Sequence, residues 1–236
     1  MLTAIATDLW VAEQPLKYFG LEVGTKMTVI RLSRNQLMVI SPIQIDNETI
    51  SNLNQLGEII YIVVPNLYHH LFAAEFQSYY PQARLWAVSG MERKRPDLQI
   101  DQIISNQTIQ SLDGVDYVLV QGFNTLDIRG FLPLNECVFF HQKSQTLIVT
   151  DLVFHFDAQS TPKTKFIAKM LGAYKQLRPS LLEKFATQDK VKVQNSIQQI
   201  LTWDFERIIM AHGSIIERDA KLLFKAGYEW FLEISL

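Results

Sequence analysis

The sequence predicts an α/β chain built as a layered sandwich, two sheets covered by helices. Three observations carry that prediction. Short apolar, β-rich runs alternate with helical stretches in the order β-α-β-α-β before residue 90. A second set of short strands follows between residues 115 and 154, and a block of helices then runs almost to the C-terminus. The chain therefore divides into two similar halves, each with strands followed by helices, and no repeat recurs at solenoid periods.

The elements can be taken in order. "KMTVIRLS" (26–33) and "QLMVISPI" (36–43) flank Arg34-Asn35, a tight hairpin. "DNETISNLNQLG" (46–57) is a short helix with a polar N-terminal cap and Gly57 as its stop. The strand "IIYIVV" (59–64) leads to a helix starting near His69 and ending before Pro81, and "ARLWAV" (83–88) closes the first half. In the second half "VDYVLVQ" (115–121), "ECVFFH" (136–141) and "TLIVTDLVF" (146–154) are strands, the last two joined at "HQKSQ". Helices follow over 162–177, 180–187 and 190–201, with Pro162 and Pro179 near helix starts. A last strand, "RIIMAH" (207–212), precedes an amphipathic helix over 215–232.

Composition narrows the function classes. The 236 residues, 48% hydrophobic and 19% charged, form one domain over 1–236 with a substantial core. A net charge of −2 offers no footprint for duplex nucleic acid, and the local cluster Arg93-Lys94-Arg95 is most simply a solvated loop. A single cysteine, Cys137, excludes an internal disulfide and a cysteine-based zinc cluster, and points to a reducing compartment. With no apolar run of spanning length, the expectation is a cytoplasmic protein with no membrane partner. There is no Gly-rich phosphate loop, no dinucleotide fingerprint and no Ser-His-Asp order.

Three strand ends share one feature. "IIYIVV" runs into Asn66 and then His69-His70, "TLIVTD" ends in Asp151, and "RIIMAH" ends in His212-Gly213. Loops at the C-terminal edge of a sheet leave the core together, so these residues can meet in one crevice. His and Asp are the side chains that hold zinc, manganese or iron at nitrogen and oxygen sites. Taken singly, each has a structural explanation: a strand-end His is usually a surface or hydrogen-bonded residue, and Asp often caps a turn. Adjacent histidines on a helix would diverge by about 100°, so His69 and His70 would not both face one ion. His212 is the firmest candidate, because it follows the apolar stretch Ile208–Ala211 and Gly213 lets the chain turn beside it. A metal crevice requires it to lie within reach of His70 and Asp151.

The order of these features resembles the metallo-β-lactamase fold, a four-layered αββα sandwich of metal-dependent hydrolases and their relatives. "IIYIVVPNLYHHL" stands where that superfamily has a strand running into His-x-His-x-Asp-His. "TLIVTDLVF" stands at the strand with its bridging Asp, and "RIIMAHGSII" at the late Gly-His-Gly strand. More narrowly, "PNLYHHLF", "VFFHQKSQTLIVTDLVF" and "WDFERIIMAHG" resemble the DUF4336 family within it.

The resemblance places Asn66 and Tyr68 at the motif's first two histidines, His70 at its Asp and Leu71 at its last His. What it implies is one divalent transition metal, zinc, manganese or iron, with His70, Asp151 and His212 as ligands. His69 and Glu136 are additional candidates, and Asn66 and Tyr68 line the site. Two functions follow: a mononuclear metal-dependent hydrolase of a small-molecule substrate, or a non-catalytic binding or structural module that keeps the fold.

Overall fold

The computed structural model describes residues 1–18, 20–127 and 130–236. The chain opens with the hairpin β1 (Leu2–Ala6) and β2 (Leu9–Gln14), followed by a two-stranded flap, β3 (Lys17–Tyr18) and β4 (Leu21–Glu22). Then come β5 (Thr25–Arg31), β6 (Gln36–Ile40), α1 (Asn47–Leu56), β7 (Glu58–Val64), α2 (Ala73–Tyr79), β8 (Arg84–Val88), α3 (Met91–Lys94) and β9 (Gln102–Ile104). The second half carries β10 (Gln110–Leu112), β11 (Val115–Leu119), a hairpin of β12 (Asn124–Asp127) and β13 (Gly130–Pro133), β14 (Cys137–His141) and β15 (Thr146–Ile148). It closes with α4 (Pro162–Met170), α5 (Leu181–Ala186), α6 (Lys190–Ile200), β16 (Arg207–Ile209) and α7 (Ala220–Leu232).

The strands form a seven-stranded sheet, β1-β2-β5-β6-β7-β8-β9, and a five-stranded sheet, β10-β11-β14-β15-β16. The first is antiparallel up to β6 and parallel from β6 to β9. In the second only β15 and β16 run parallel.

Period-two alternation makes the layers. Ile30, Met38, Val63 and Trp86 of the first sheet meet Tyr117, Cys137, Phe139 and Ile209 of the second in an inter-sheet core. The residues beside them face outward: Met27, Val29, Val39, Ile62 and Leu85 pack on Leu53 of α1, Phe76 of α2 and Met91 of α3. On the far side Val138, Phe140, Leu147 and Ile208 pack on Val193 and Ile197 of α6 and on Phe224, Tyr228 and Phe231 of α7. Strands covered on both faces read as nearly continuous apolar runs, which is how the sequence shows them. The result is the four-layered αββα sandwich. No helix among the described residues is long and apolar enough to cross a membrane.

Local chemistry sets the element ends. Asp46 caps α1 by accepting the Thr49 N–H at 2.8 Å. Arg34 and Asn35 both take positive φ, 55° and 58°, the geometry that joins antiparallel β5 and β6 tightly. Several expected spans are shorter in the structure: α4 ends at Met170 instead of residue 177, and α7 begins at Ala220 instead of residue 215. α2 begins at Ala73 rather than near His69, while β15 and β16 stop at Ile148 and Ile209. Asp151 and His212 therefore stand in loops just beyond their strands. The hairpin β1–β2, the flap β3–β4, the hairpin β12–β13 and the three-residue strands β9 and β10 add to what the periodicity marked.

Candidate metal centre

Three loops at one edge of the sandwich build the centre. The first follows β7, where Asn66 is fully buried. Its side-chain Oδ1 accepts the backbone N–H groups of Tyr68 at 2.7 Å and His69 at 2.8 Å, an Asx turn that keeps the segment from entering a helix. The Asn66 amide donates toward Asp151 Oδ2 at 2.7 Å, Thr150 Oγ1 at 2.9 Å and Glu136 Oε2 at 3.0 Å. Two amide hydrogens are thus shared among three acceptors, and they tie the loop after β7 to the loop after β15. Backbone contacts reinforce the tie, with Cys137 N–H donating to Pro65 O at 2.8 Å.

Asp151 is the hub of the site. His69 Nε2 lies 3.3 Å from its Oδ2, and His212 Nε2 lies 3.4 Å from its Oδ1. The two imidazole rings stand 5.1 Å apart, centre to centre. Each ring is held from behind. His69 Nδ1 meets Ser41 Oγ at 2.7 Å, just past the end of β6, and His212 Nδ1 donates to the Gly24 carbonyl at 2.5 Å, just before β5. A carbonyl only accepts, so His212 Nδ1 carries a proton, and Nε2 is the ring atom that faces Asp151.

The loop after β16 is clamped as well. Lys26 donates to the Gly213 carbonyl, and Ser214 N–H donates to His155 O at 2.8 Å. Gly213 has φ +84°, and a Cβ there would fall 2.2 Å from the His155 carbonyl oxygen, so only glycine fits the turn.

The electrostatics follow from burial and pairing. Burial alone would raise the Asp151 carboxyl, but His69 and His212 outweigh it and hold the group well below the usual carboxylate range. Burial would lower His69, and the Asp151 charge overrides that and raises it. Glu136 is fully buried and moves the other way, raised by burial and by the charge of Asp151 against the opposing hydrogen bonds from Thr150. Its oxygens accept Thr150 N–H at 2.7 Å, Thr150 Oγ–H at 2.5 Å and Asp151 N–H at 2.7 Å, in addition to the Asn66 amide.

The structure brings together His69, Asp151 and His212, whose donor atoms all lie within 4.8 Å of one another. His70, the residue expected to join Asp151 and His212, stays outside that group. Arg95 donates from Nη1 both to His70 Nδ1 and to the His70 carbonyl, each at 3.0 Å. A guanidinium only donates, so Nδ1 of a neutral His70 is the acceptor and its proton sits on Nε2, which leaves neither nitrogen with a free lone pair. Burial, then Lys94 and Arg95, lower His70 to about 4. His69 takes the place expected of His70, because the Asx turn at Asn66 aims it inward. Glu136 lies beneath the centre with its oxygens occupied, and Tyr68 lines the crevice above it. Sequence reading took Arg95 for part of a solvated loop, whereas Arg93 and Lys94 belong to α3 and Arg95 holds His70. It missed Ser41, Gly24, Lys26 and Thr150. Their one available signal is adjacency, Thr150 to Asp151 and Ser41 to a strand end.

The donor set fits one divalent ion with two nitrogen ligands and one oxygen ligand. Ligands about 2.1 Å from a tetrahedral ion stand about 3.4 Å apart. Here each imidazole lies 3.3–3.4 Å from its own oxygen of Asp151, and one donor atom from each residue can be chosen with all three within 4.8 Å. The Nδ1 partners Ser41 and Gly24 are the kind of support that fixes tautomer and ring orientation at metal sites. A cavity of about 820 Å³ opens over the three residues.

Among solved structures, the chain is similar to a metallo-beta-lactamase from Erythrobacter litoralis with beta mercaptoethanol in the active site. The TM-score is 0.67 at 11% identity, covering 97% of this chain and 96% of that one. It is similar to the FIM-1 metallo-beta-lactamase from Pseudomonas aeruginosa in the mono-zinc form, with a TM-score of 0.62 at 12% identity over 99% and 94% of the two chains. It is also similar to the metal-soaked Flv1 flavodiiron core from Synechocystis sp. PCC6803, with a TM-score of 0.65 at 10% identity over 99% of this chain and 60% of that one. Identities this low speak to the fold alone. None of the curated proteins matches the sequence. Residues 6–180 match the domain of unknown function DUF4336, and the chain, with the αββα metallo-β-lactamase fold, belongs to that family.

Proposed function

We propose that the protein is a mononuclear metal-dependent hydrolase of a small molecule, with His69, Asp151 and His212 as the metal ligands. The observation that carries this reading is the convergence of two Nε2 atoms on one carboxylate while each Nδ1 is engaged elsewhere. An ion bound there would polarise a substrate carbonyl as a Lewis acid and make a water acidic near neutral pH.

The chain's own groups support the rest. Asn66 holds Asp151 in place at 2.7 Å, and the two imidazoles keep that carboxyl ionised. His70 lines the cavity, and with its proton on Nε2 it can donate a hydrogen bond to a bound substrate. The apolar walls of the cavity limit water around the reacting group.

A non-catalytic module is the second reading, favoured by Asn66 and Tyr68 standing where the superfamily motif has histidines. Both readings are tested by metal analysis of protein purified without chelator and reconstituted with Zn²⁺, Mn²⁺ or Fe²⁺. The expected result is one ion per chain, lost in Asp151→Ala and retained in His70→Ala. Less than about a tenth of an equivalent after reconstitution would overturn the metal-dependent reading.

A further inference from the structure

We propose that the cavity over the centre binds a neutral, chain-like carboxylic ester, its hydrocarbon chain along the apolar walls and its carbonyl toward His69, Asp151 and His212. The position of the carbonyl rests on the metal-centre reading. The binding of the chain rests on the cavity itself.

At about 820 Å³, the cavity lies in the range of sites that enclose most of a drug-sized ligand. Its walls come from segments outside the two main sheets: the β3–β4 flap supplies Leu21 and Val23 beside it, the β12–β13 hairpin Leu126, and α4 Ile167 and Ala168. These pieces are joined to one another. Lys163 donates to the Gly20 carbonyl at 2.9 Å, and Thr164 donates to the Glu22 carbonyl at 3.0 Å, so α4 and the flap form one wall.

Polarity decides the ligand class. No Lys or Arg is among the described residues that line the cavity. Among the described lining residues, a phosphate or sulfate ester would meet none of the cationic forks and ammonium groups that such anions require. Behind the lining, Lys94 lies over the Tyr68 ring and Arg95 is engaged by His70 and Asp97. The one carboxyl lining the walls away from the centre, Glu183, is engaged by the Ser180 hydroxyl, the Ser180 N–H at 3.1 Å and the Thr125 hydroxyl at 3.1 Å. Burial pushes that carboxyl up, which lessens its charge.

Exposure supplies an independent argument. Tyr18, Leu71, Leu126 and Leu182 all line the cavity, and they are 49%, 61%, 42% and 40% exposed. Large apolar side chains gathered around one opening mark a surface that a ligand covers.

The test is a titration of the full chain with the neutral fluorophore N-phenyl-1-naphthylamine, followed by displacement with methyl acetate, butanoate, octanoate and dodecanoate. Saturable 1:1 binding is expected, with displacement that strengthens by roughly fourfold per methylene over the first part of the series. Ala168→Trp, which fills the cavity, should weaken probe binding at least tenfold. Leu126→Glu, at an exposed rim position where folding is not at risk, should weaken it too. Absence of saturable binding, displacement indifferent to chain length, or equal displacement by phenyl phosphate would overturn the proposal. Metal content is measured on the same samples. Chain-length dependence in protein that takes up no metal would leave this site standing and remove the hydrolase reading. One ion per chain without chain-length dependence would do the reverse.

Discussion

Asn66 stands where the superfamily motif has a histidine and Glu136 was a candidate oxygen ligand, and here both carry structure. Asn66 places His69 through its Oδ1 and steadies Asp151 through its amide. Glu136 receives donors on both oxygens, backbone N–H groups of Thr150 and Asp151 among them. Glu136→Gln has nearly the same shape, yet either orientation of the amide turns an NH₂ toward a backbone N–H. The substitution should therefore lower stability by about 1–3 kcal/mol, read from urea denaturation, since a buried donor is left facing a donor. Unchanged stability would mean that the Thr150 and Asp151 amides point elsewhere. The same accounting of donors separates the two adjacent histidines. His70 is spent on Arg95, and His69 is left for the centre.

At the scale of elements, much was legible because apolar period and length survive in the fold. β5, β6, β7, β8, β11 and β14 appear where alternating or continuous apolar runs place them, and α1 lies between its Asp46 cap and Gly57. What escaped has a physical cause. β9 and β10 are three residues each, too short for periodicity, and the β3–β4 flap pairs only two residues with two. The start of α2 was misplaced because a side-chain hydrogen bond at Asn66 overrides local helix propensity, and composition does not show which way an Asx side chain bonds. The same turn decides which histidine faces Asp151. Asp151 and His212 were legible as candidates from their places after apolar strands. The choice of His69 over His70 was not, because Arg95 lies 25 residues from His70 in sequence and reaches it only in the fold.

At the scale of the whole molecule, one sheet edge gathers a charged centre beneath an apolar chamber, and stability depends on buried imidazoles staying neutral. Burial lowers both His141 and His155 from 6.5, and the Nδ1 atom of His155 is buried without a partner among the described residues. The unfolded chain takes up these protons near 6.5, and the folded one only at lower pH. Their contribution, joined by that of His70, is therefore complete above 6.5 and declines as pH falls below it. His69, raised by Asp151, and the carboxyls of Glu136 and Glu183, raised by burial, work in the opposite direction. Metal-free protein should show a lower urea midpoint at about pH 5.5 than at about pH 7.5, and a midpoint that rises on acidification would contradict this balance.

The central claim, that His69, Asp151 and His212 form a single-ion site, is tested most directly by a crystal structure of the zinc-reconstituted protein with anomalous data collected on both sides of the zinc edge. The account predicts one anomalous peak bonded to His69 Nε2, His212 Nε2 and an Asp151 oxygen at about 2.0–2.2 Å, with His70 still held by Arg95. An empty crevice between these three side chains, or an ion bound through His70 instead of His69, would contradict it.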